Sequence, residues 1–420
     1  MVLRAERDPA EVRSAEPSGD SSGGGDVTRL PRFRPGRTNG ACAAEPLEAE
    51  RGGPPSYEAA KTRHQKVRAA GLDPNYWYPV EHDHAIQPGE VREVVFWGRS
   101  YALFRDVSGA LSVIENRCAH RQLRLSTGNV DGCHLVCNYH GWRYDGEGRL
   151  AGVSHELFGH GLPKVKVRHR AVRVRYGLIW VFFGDPALAV TRDVPRIPEL
   201  EGPSAWPCVP VDFVWKAHHS MIIDNVSDFT HAYLHRKYRP FSDAKLTECR
   251  TEGDKVFVSY EARIADGPIY RRIVDHIGTN TNRMTLCYEY PFQWSNTDNR
   301  IKHHCFVLPI DRRTTRVFFL FYYDHRVFKL PFLPIRMPRR LMLPLLHAGN
   351  VLLVRPLLGE DGFAVEEEQR SYERHFDAPM MDLNPAIGAF QGLTLRKWDE
   401  HLAGHAEDRR ERGRAASGLS

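Results

Sequence analysis

A chain of 420 residues exceeds the length that one hydrophobic core usually serves, so two folded domains with tails are expected. Its 42% hydrophobic and 26% charged residues are ordinary for a globular protein, and a net charge of +6, carried mostly by scattered arginines, builds no compact basic cluster. Nucleic-acid binding, a disulfide scaffold from eight cysteines and a membrane span of ~18 uninterrupted apolar residues are therefore not expected.

Residues 1–70 are rich in Gly, Pro, Ser and alternating charge, as in Ser21-Ser22-Gly23-Gly24-Gly25. Such text buries too little apolar surface to offset its ordering entropy, and a disordered leader is expected. Acidic Glu6 and Asp8 and the lack of an apolar core segment argue against a targeting peptide. Order is expected from about Asn75. Strand-like runs at 91–97, 101–105 and 110–114, with a hairpin signal at Asp106-Val107-Ser108-Gly109, are followed by further runs at 172–174 and 178–183. Together they predict a small all-β domain over 71–185.

A proline-containing connector at 194–210 follows. Residues 221–235 lack Gly and Pro and have a helical pattern. Runs at 256–262, 284–290, 303–308 and 316–323 read as strands of one antiparallel sheet, and helical text resumes at 360–375 and 392–402. An α+β domain over 186–405, with helices on one sheet face, is expected. The basic, apolar stretch 328–358 resembles a membrane-surface segment in composition, but its prolines favour core or subunit contact. Residues 406–420, rich in Arg and Glu, are expected to fray.

Two constellations carry chemistry. The first is Cys118-Ala119-His120-Arg121 with Cys137-Asn138-Tyr139-His140-Gly141-Trp142. Two thiolates and two imidazoles are the ligand set of a Rieske [2Fe–2S] centre, in which sulfurs hold one iron and histidines the other. That ligation lifts the potential to roughly −150 to +300 mV. Gly128, Gly132 and Gly141 could supply the tight turns around the cluster. Zinc is the competing reading, but zinc fingers group Cys with Cys and His with His. The remaining cysteines (42, 133, 208, 249, 287, 305) are scattered and read as free thiols, which suits a reducing cytoplasm.

The second constellation is Asn225-Val226-Ser227-Asp228-Phe229-Thr230-His231-Ala232-Tyr233-Leu234-His235. On a regular helix His231 and His235 share a face with Asp228 one turn before them. Two histidines and a carboxylate form the facial triad of non-haem Fe(II) oxygenases. Proximity alone nominates Asp228 as the carboxylate. His218 and His219, just before this stretch, read as structural histidines. The aromatic texts 292–294 and 318–322 fit either a pocket lining or ordinary core strands.

From Asn75 to His401 the text, including Tyr176-Gly177-Leu178-Ile179-Trp180-Val181, resembles the Rieske-type ring-hydroxylating and related oxygenases. Respiratory Rieske proteins carry an extra cysteine in each cluster loop. Arg121 and Tyr139 stand near those positions here, which favours the oxygenase branch. The resemblance implies a Rieske domain followed by a helix-grip catalytic domain, with Asp361 as the third ligand of a mononuclear Fe(II) beside His231 and His235. It also implies that Asp228 bridges His231 to the cluster ligand His140 of a neighbouring subunit in a homotrimer, with Asn225 near the iron but not bound to it. The chain departs from the family in having three residues, not four, between the two histidines.

The function so implied is a terminal oxygenase. It uses O2 and electrons from a separate ferredoxin or flavin reductase, since no dinucleotide-binding fingerprint follows a strand here. The substrate is expected to be apolar, aromatic or polycyclic, and hydroxylation, demethylation and desaturation all fit. A Rieske electron carrier without oxygenase activity, and a zinc-binding interaction module, are the alternatives.

Overall fold

The computed structural model describes residues 52–264, 267, 283–324 and 338–417. Residues 1–51 of the expected leader lie outside the described residues.

The N-terminal domain holds ten strands: β1 (Trp77–His82), β2 (Val91–Phe96), β3 (Arg99–Arg105), β4 (Leu111–Glu115), β5 (Asn129–Asp131), β6 (His134–Val136), β7 (Arg143–Tyr144), β8 (Leu150–Gly152), β9 (His169–Arg175) and β10 (Leu178–Phe182). One antiparallel sheet has the order β1-β10-β9-β4-β3-β2, and a second, smaller one the order β5-β6-β7-β8. The hairpin read at residues 106–109 joins β3 to β4. Oδ1 of Asp106 accepts from the Ser108 and Ala110 amides at 2.9 and 2.8 Å, and Gly109 takes the positive φ the turn requires.

Strand β11 (Cys208–Trp215) starts inside the expected connector. It leads a seven-stranded antiparallel sheet with β12 (Phe241–Glu252), β13 (Lys255–Ile264), β14 (Arg283–Glu289), β15 (Phe292–Thr297), β16 (Ile301–Pro309) and β17 (Thr315–Tyr323), ordered β11-β17-β16-β15-β14-β13-β12. Strand β12 escaped the sequence reading because it is an edge strand whose polar and charged residues face water. The aromatics of β17 are mostly core, whereas Phe292 and Trp294 border a cavity of roughly 180 Å³ with Tyr76 and His304.

Six helices are described: α1 (Arg63–Ala69), α2 (Pro186–Thr191), α3 (His219–Ser227), α4 (Arg339–Gly349), α5 (Arg355–His375) and α6 (Pro385–Ser417). Helix α1 corrects the expected leader, because order reaches back past residue 70. Thr62 and Gln65 form a capping box at its start. Its Arg68 is buried between Asp224 at 2.9 Å and Glu368 at 2.8 Å, and Tyr57 just before it donates to Asp399 of α6 at 2.7 Å. Helix α6 likewise runs through most of the tail that was expected to fray.

One core cluster spans the six-stranded and the seven-stranded sheet. Trp180 packs edge-on against Phe306, and the Trp97 and Gly98 amides donate to the Pro309 and Ile310 carbonyls at 2.8 and 2.7 Å. Arg316 of β17 reaches Glu81 of β1 and Asp212 of β11, each at 2.9 Å. The two domains are thereby held in one relative position.

One helix, Arg340–His375, continuous through a short π-helical turn at 350–354, is long and apolar enough to cross a membrane by length and composition. Most of its first half lies within 328–358, the basic, apolar stretch for which core or subunit contact is expected because of its prolines. Much of that first half is exposed, which departs from the core half of the expected core or subunit contact.

Candidate metal centres

Two loops at the rim of the small sheet bring Cys118, His120, Cys137 and His140 together. In the first, the Cys118 amide donates to the Leu123 carbonyl (2.8 Å), and Asn116 pins the loop through Ser100 and Ser126. In the second, the Cys137 amide donates to Trp142 and the Gly141 amide to Cys137, at 2.9 and 3.0 Å. Gly141 has φ +65°, and a Cβ there would stand 2.2 Å from the Ser154 hydroxyl, so no other residue fits directly after His140.

Both sulfurs are buried, while the two imidazoles lie towards the surface with centroids 4.5 Å apart. Burial, reinforced by the Cys118 sulfur alongside, pushes the Cys137 thiol up. Such a thiol is costly to ionise unless a cation shares it. Nδ1 of His120 is buried without a hydrogen-bonding partner, and Trp142 stacks on that ring at 4.9 Å. Sulfurs on the inside and imidazoles on the outside fit the asymmetric ligation of a Rieske cluster. No disulfide forms among the described cysteines. Cys42 lies outside the described residues.

The sequence reading missed Tyr144, whose hydroxyl lies 3.3 Å from the Cys118 sulfur and accepts from the Ala119 amide. Hydrogen bonds to cluster sulfurs tune the potential.

The second site corrects the expected helix. Helix α3 stops at Ser227, and residues 229–238 run as successive turns rather than continuing it to His235. Asp228 causes the break. Its Oδ1 accepts from the Thr230 amide and hydroxyl at 2.8 and 2.6 Å, replacing helical bonds with a local turn. The turns are tight: the Leu234 and His235 amides donate three residues back, to His231 and Ala232. His231 and His235 still converge, with centroids 5.1 Å apart.

Asp361, buried on α5, meets them both. Its Oδ1 lies 3.4 Å from Nε2 of His231 and 3.4 Å from Nε2 of His235. The three side chains form the one such group among the described residues, with all ligand atoms within 4.8 Å. Oδ1 of Asp361 is buried with no hydrogen-bonding partner, as suits an oxygen that shares a cation ~2 Å away with two nitrogens. Burial lowers the His231 imidazole against the opposing pull of Asp361. At His235 burial acts the same way but is outweighed by the Asp361 and Glu360 carboxylates, so that ring is raised. Asn225 sits on the last turn of α3, its Oδ1 buried and unpartnered. His218 and His219 are structural: the first caps α3 through Ser220, and the second bonds the Ala70 carbonyl.

Two further residues act on this site. Glu360 Oε2 accepts from Nδ1 of His235 at 2.9 Å, a carboxylate–histidine pair that fixes which nitrogen is left for a metal. Asn384 donates to Oδ1 of Asp228 at 2.9 Å and to the Tyr260 hydroxyl at 2.8 Å. Glu360→Gln is expected to weaken iron binding about 10- to 100-fold, read by competition with a chelator. Gly362, next to Asp361, lets α5 lie against β11, because a Cβ there would stand 2.4 Å from Nε1 of Trp215. Gly362→Ala is expected to cost ~1–3 kcal/mol, seen as a lower unfolding midpoint.

The family models agree with this division. Residues 76–157 match the Rieske [2Fe-2S] domain, and residues 215–404 match the vanillate O-demethylase oxygenase C-terminal domain. The 4beta-methylsterol monooxygenase of Methylococcus capsulatus is 46% identical over 339 residues, which cover 80% of this chain and 91% of that protein. The chain belongs to the Rieske non-haem iron oxygenases. A toluene-4-sulfonate monooxygenase iron-sulfur subunit of Comamonas testosteroni is 30% identical over 164 residues, 38% of this chain and 46% of that one. Dicamba monooxygenase bound to dicamba superposes with a TM-score of 0.63 at 19% identity, over 80% of this chain and all of that one, and so shares the fold. The family carries a Rieske cluster and a mononuclear non-haem iron, and its members are oxidoreductases acting as terminal oxygenases. The alternative of a Rieske electron carrier without oxygenase activity is not favoured, because residues 215–404 match an oxygenase C-terminal domain.

Proposed function

We propose that this oxygenase inserts one oxygen atom into a 4β-methylsterol, at the methyl group: R–H + O2 + 2e⁻ + 2H⁺ → R–OH + H2O. The supporting observation is the 46% identity over 339 residues, 80% of this chain and 91% of the methylsterol monooxygenase. In this reading Cys118, Cys137, His120 and His140 hold the [2Fe–2S] cluster, and His231, His235 and Asp361 hold Fe(II). When bound, the cluster supplies single electrons and the iron supplies the coordination sites at which O2 is activated.

The protein's own residues do the rest. Glu360 orients His235, and the phenyl ring of Phe241, within 5.7 Å of both imidazoles, keeps that side of the triad apolar. Thr230 and Asn384 tie Oδ1 of Asp228, and no hydrogen bond to its Oδ2 is present among the described residues. We read that oxygen as the one that meets His140 of a neighbouring copy, with Asp228 on the inter-subunit electron path of a homotrimer. Asn225 stands near the iron without binding it. A separate ferredoxin or flavin reductase is the electron donor, and the free thiols, exposed Cys133 and Cys249 among them, suit a reducing cytoplasm.

Substrate-dependent oxygen consumption with a surrogate reductase tests the substrate class. Stimulation by 4β-methylsterols but not by aromatic acids is expected. Stimulation by aromatic acids alone would overturn the sterol reading.

A further inference from the structure

Asp361 rides on a helix whose first half is inside out. In a globular helix the apolar stripe faces the core. Along α4 and the π-helical turn after it, positions 341, 344, 345, 348, 351 and 352 face water, are spaced as one side of a helix and are all apolar, with exposed Arg340 before them and exposed His347 at their flank. Leu341 is 58% exposed, Leu345 55%, Val351 61% and Leu352 68%. Met342 and Asn350, on the other side, are buried against the protein. The outward stripe is about 17 Å long.

Charge says what could cover it. From Asp324 to Glu360 the intervening sequence contains no Asp or Glu, yet it contains Arg326, Lys329, Arg336, Arg339, Arg340 and Arg355. Exposed Arg340 and Arg355 bracket the stripe at its two ends. Exposed Arg340 and Arg355, the latter 4.0 Å from Asp212, lie in a stretch whose sequence holds six cations and no anion, and this excess of positive charge complements an anionic lipid surface. A second copy of the same face would set like charges against like. Crossing the bilayer would need ~20 residues free of protein contact, whereas Met342, Asn350 and Leu358 are packed against the protein within this stretch.

We propose that this face rests in the headgroup and acyl boundary of an anionic phospholipid membrane, as a surface-lying helix and not a span. Asp361 follows Leu352 on the same helix by about 14 Å along the axis. Docking therefore holds the candidate iron site near the phase in which a sterol dissolves. That substrate route rests on the proposed sterol reading, and the docking itself does not.

The test is flotation of the full-length holoenzyme with phosphatidylcholine vesicles containing or lacking phosphatidylglycerol. Binding is expected to the anionic vesicles, weakened by salt. It should drop at least ~10-fold in the double variant Leu345→Asp/Leu352→Asp, and also in Arg340→Glu, which leaves the stripe intact. Both variants should keep the visible spectrum of the cluster. Both should oxidise a methylsterol given in detergent while losing activity on sterol held in vesicles. No flotation of the parent, or equal flotation of parent and variants, overturns the proposal. So does a change of oligomeric mass in the variants with vesicle binding unaltered, which would make the face a contact between copies. Flotation as expected with no methylsterol oxidised in any form leaves the docking standing and removes the sterol reading.

Discussion

Asp361→Ala is expected to lower the iron content from about three to about two per chain, leave two sulfides in place and cut turnover at least ~1000-fold. The carboxylate is buried against two imidazoles whose Nε2 atoms each lie 3.4 Å from its Oδ1. Removing it leaves two neutral donors to hold a dication, without the anion that offsets its charge. Glu360, next in sequence, is not a ready substitute, because its Oε2 is engaged by Nδ1 of His235. The loops carrying Cys118, His120, Cys137 and His140, the proposed cluster ligands, lie at the rim of the other domain's small sheet, so the cluster should keep its spectrum. Iron held at three per chain in this variant, measured by metal analysis, would show that another carboxylate completes the site. Asp228 is the one that spacing alone nominates.

Asp228→Asn should separate loading from turnover. Both centres are expected to stay filled, since neither ligand set includes this residue, while turnover falls by on the order of 100-fold or more. The side chain is nearly isosteric, so the Asn384 and Thr230 contacts that shape the turn are the least disturbed by this change. What is lost is the carboxylate charge proposed to link His231 to His140 of a neighbouring copy. The decisive readout is the rate at which chemically reduced cluster is reoxidised when substrate and O2 are present, which should slow in step with turnover. Full activity in this variant would exclude the bridge.

The cluster loops were the most legible part of the chain, because each pairs its Cys and His within a few residues and local spacing carries the signal. Asp361 was not legible from spacing. It lies 126 positions beyond His235 and reaches the histidines only because α5 packs against β11, so the resemblance and not the pattern supplied it. Helix 221–235 was over-extended since residue composition does not reveal that Asp228 will bond Thr230 in place of the helical partner. Helix α1 did leave a trace, the Thr62–Gln65 capping box, but within polar text that otherwise lacks an apolar stripe. Asn384 left none, because its role depends wholly on where α6 begins relative to Asp228. The exposure of the apolar side of α4 was not legible because apolar periodicity tells which residues share a face and not which phase that face meets.

Iron and acid-labile sulfide analysis of anaerobically purified protein, combined with electron paramagnetic resonance after one-electron reduction, tests the two-centre account most directly. The account predicts about three irons and two sulfides per chain, with the signal of a histidine-ligated [2Fe–2S] cluster. Reconstituted protein that binds zinc without sulfide, or that never takes up more than the two cluster irons, would contradict it.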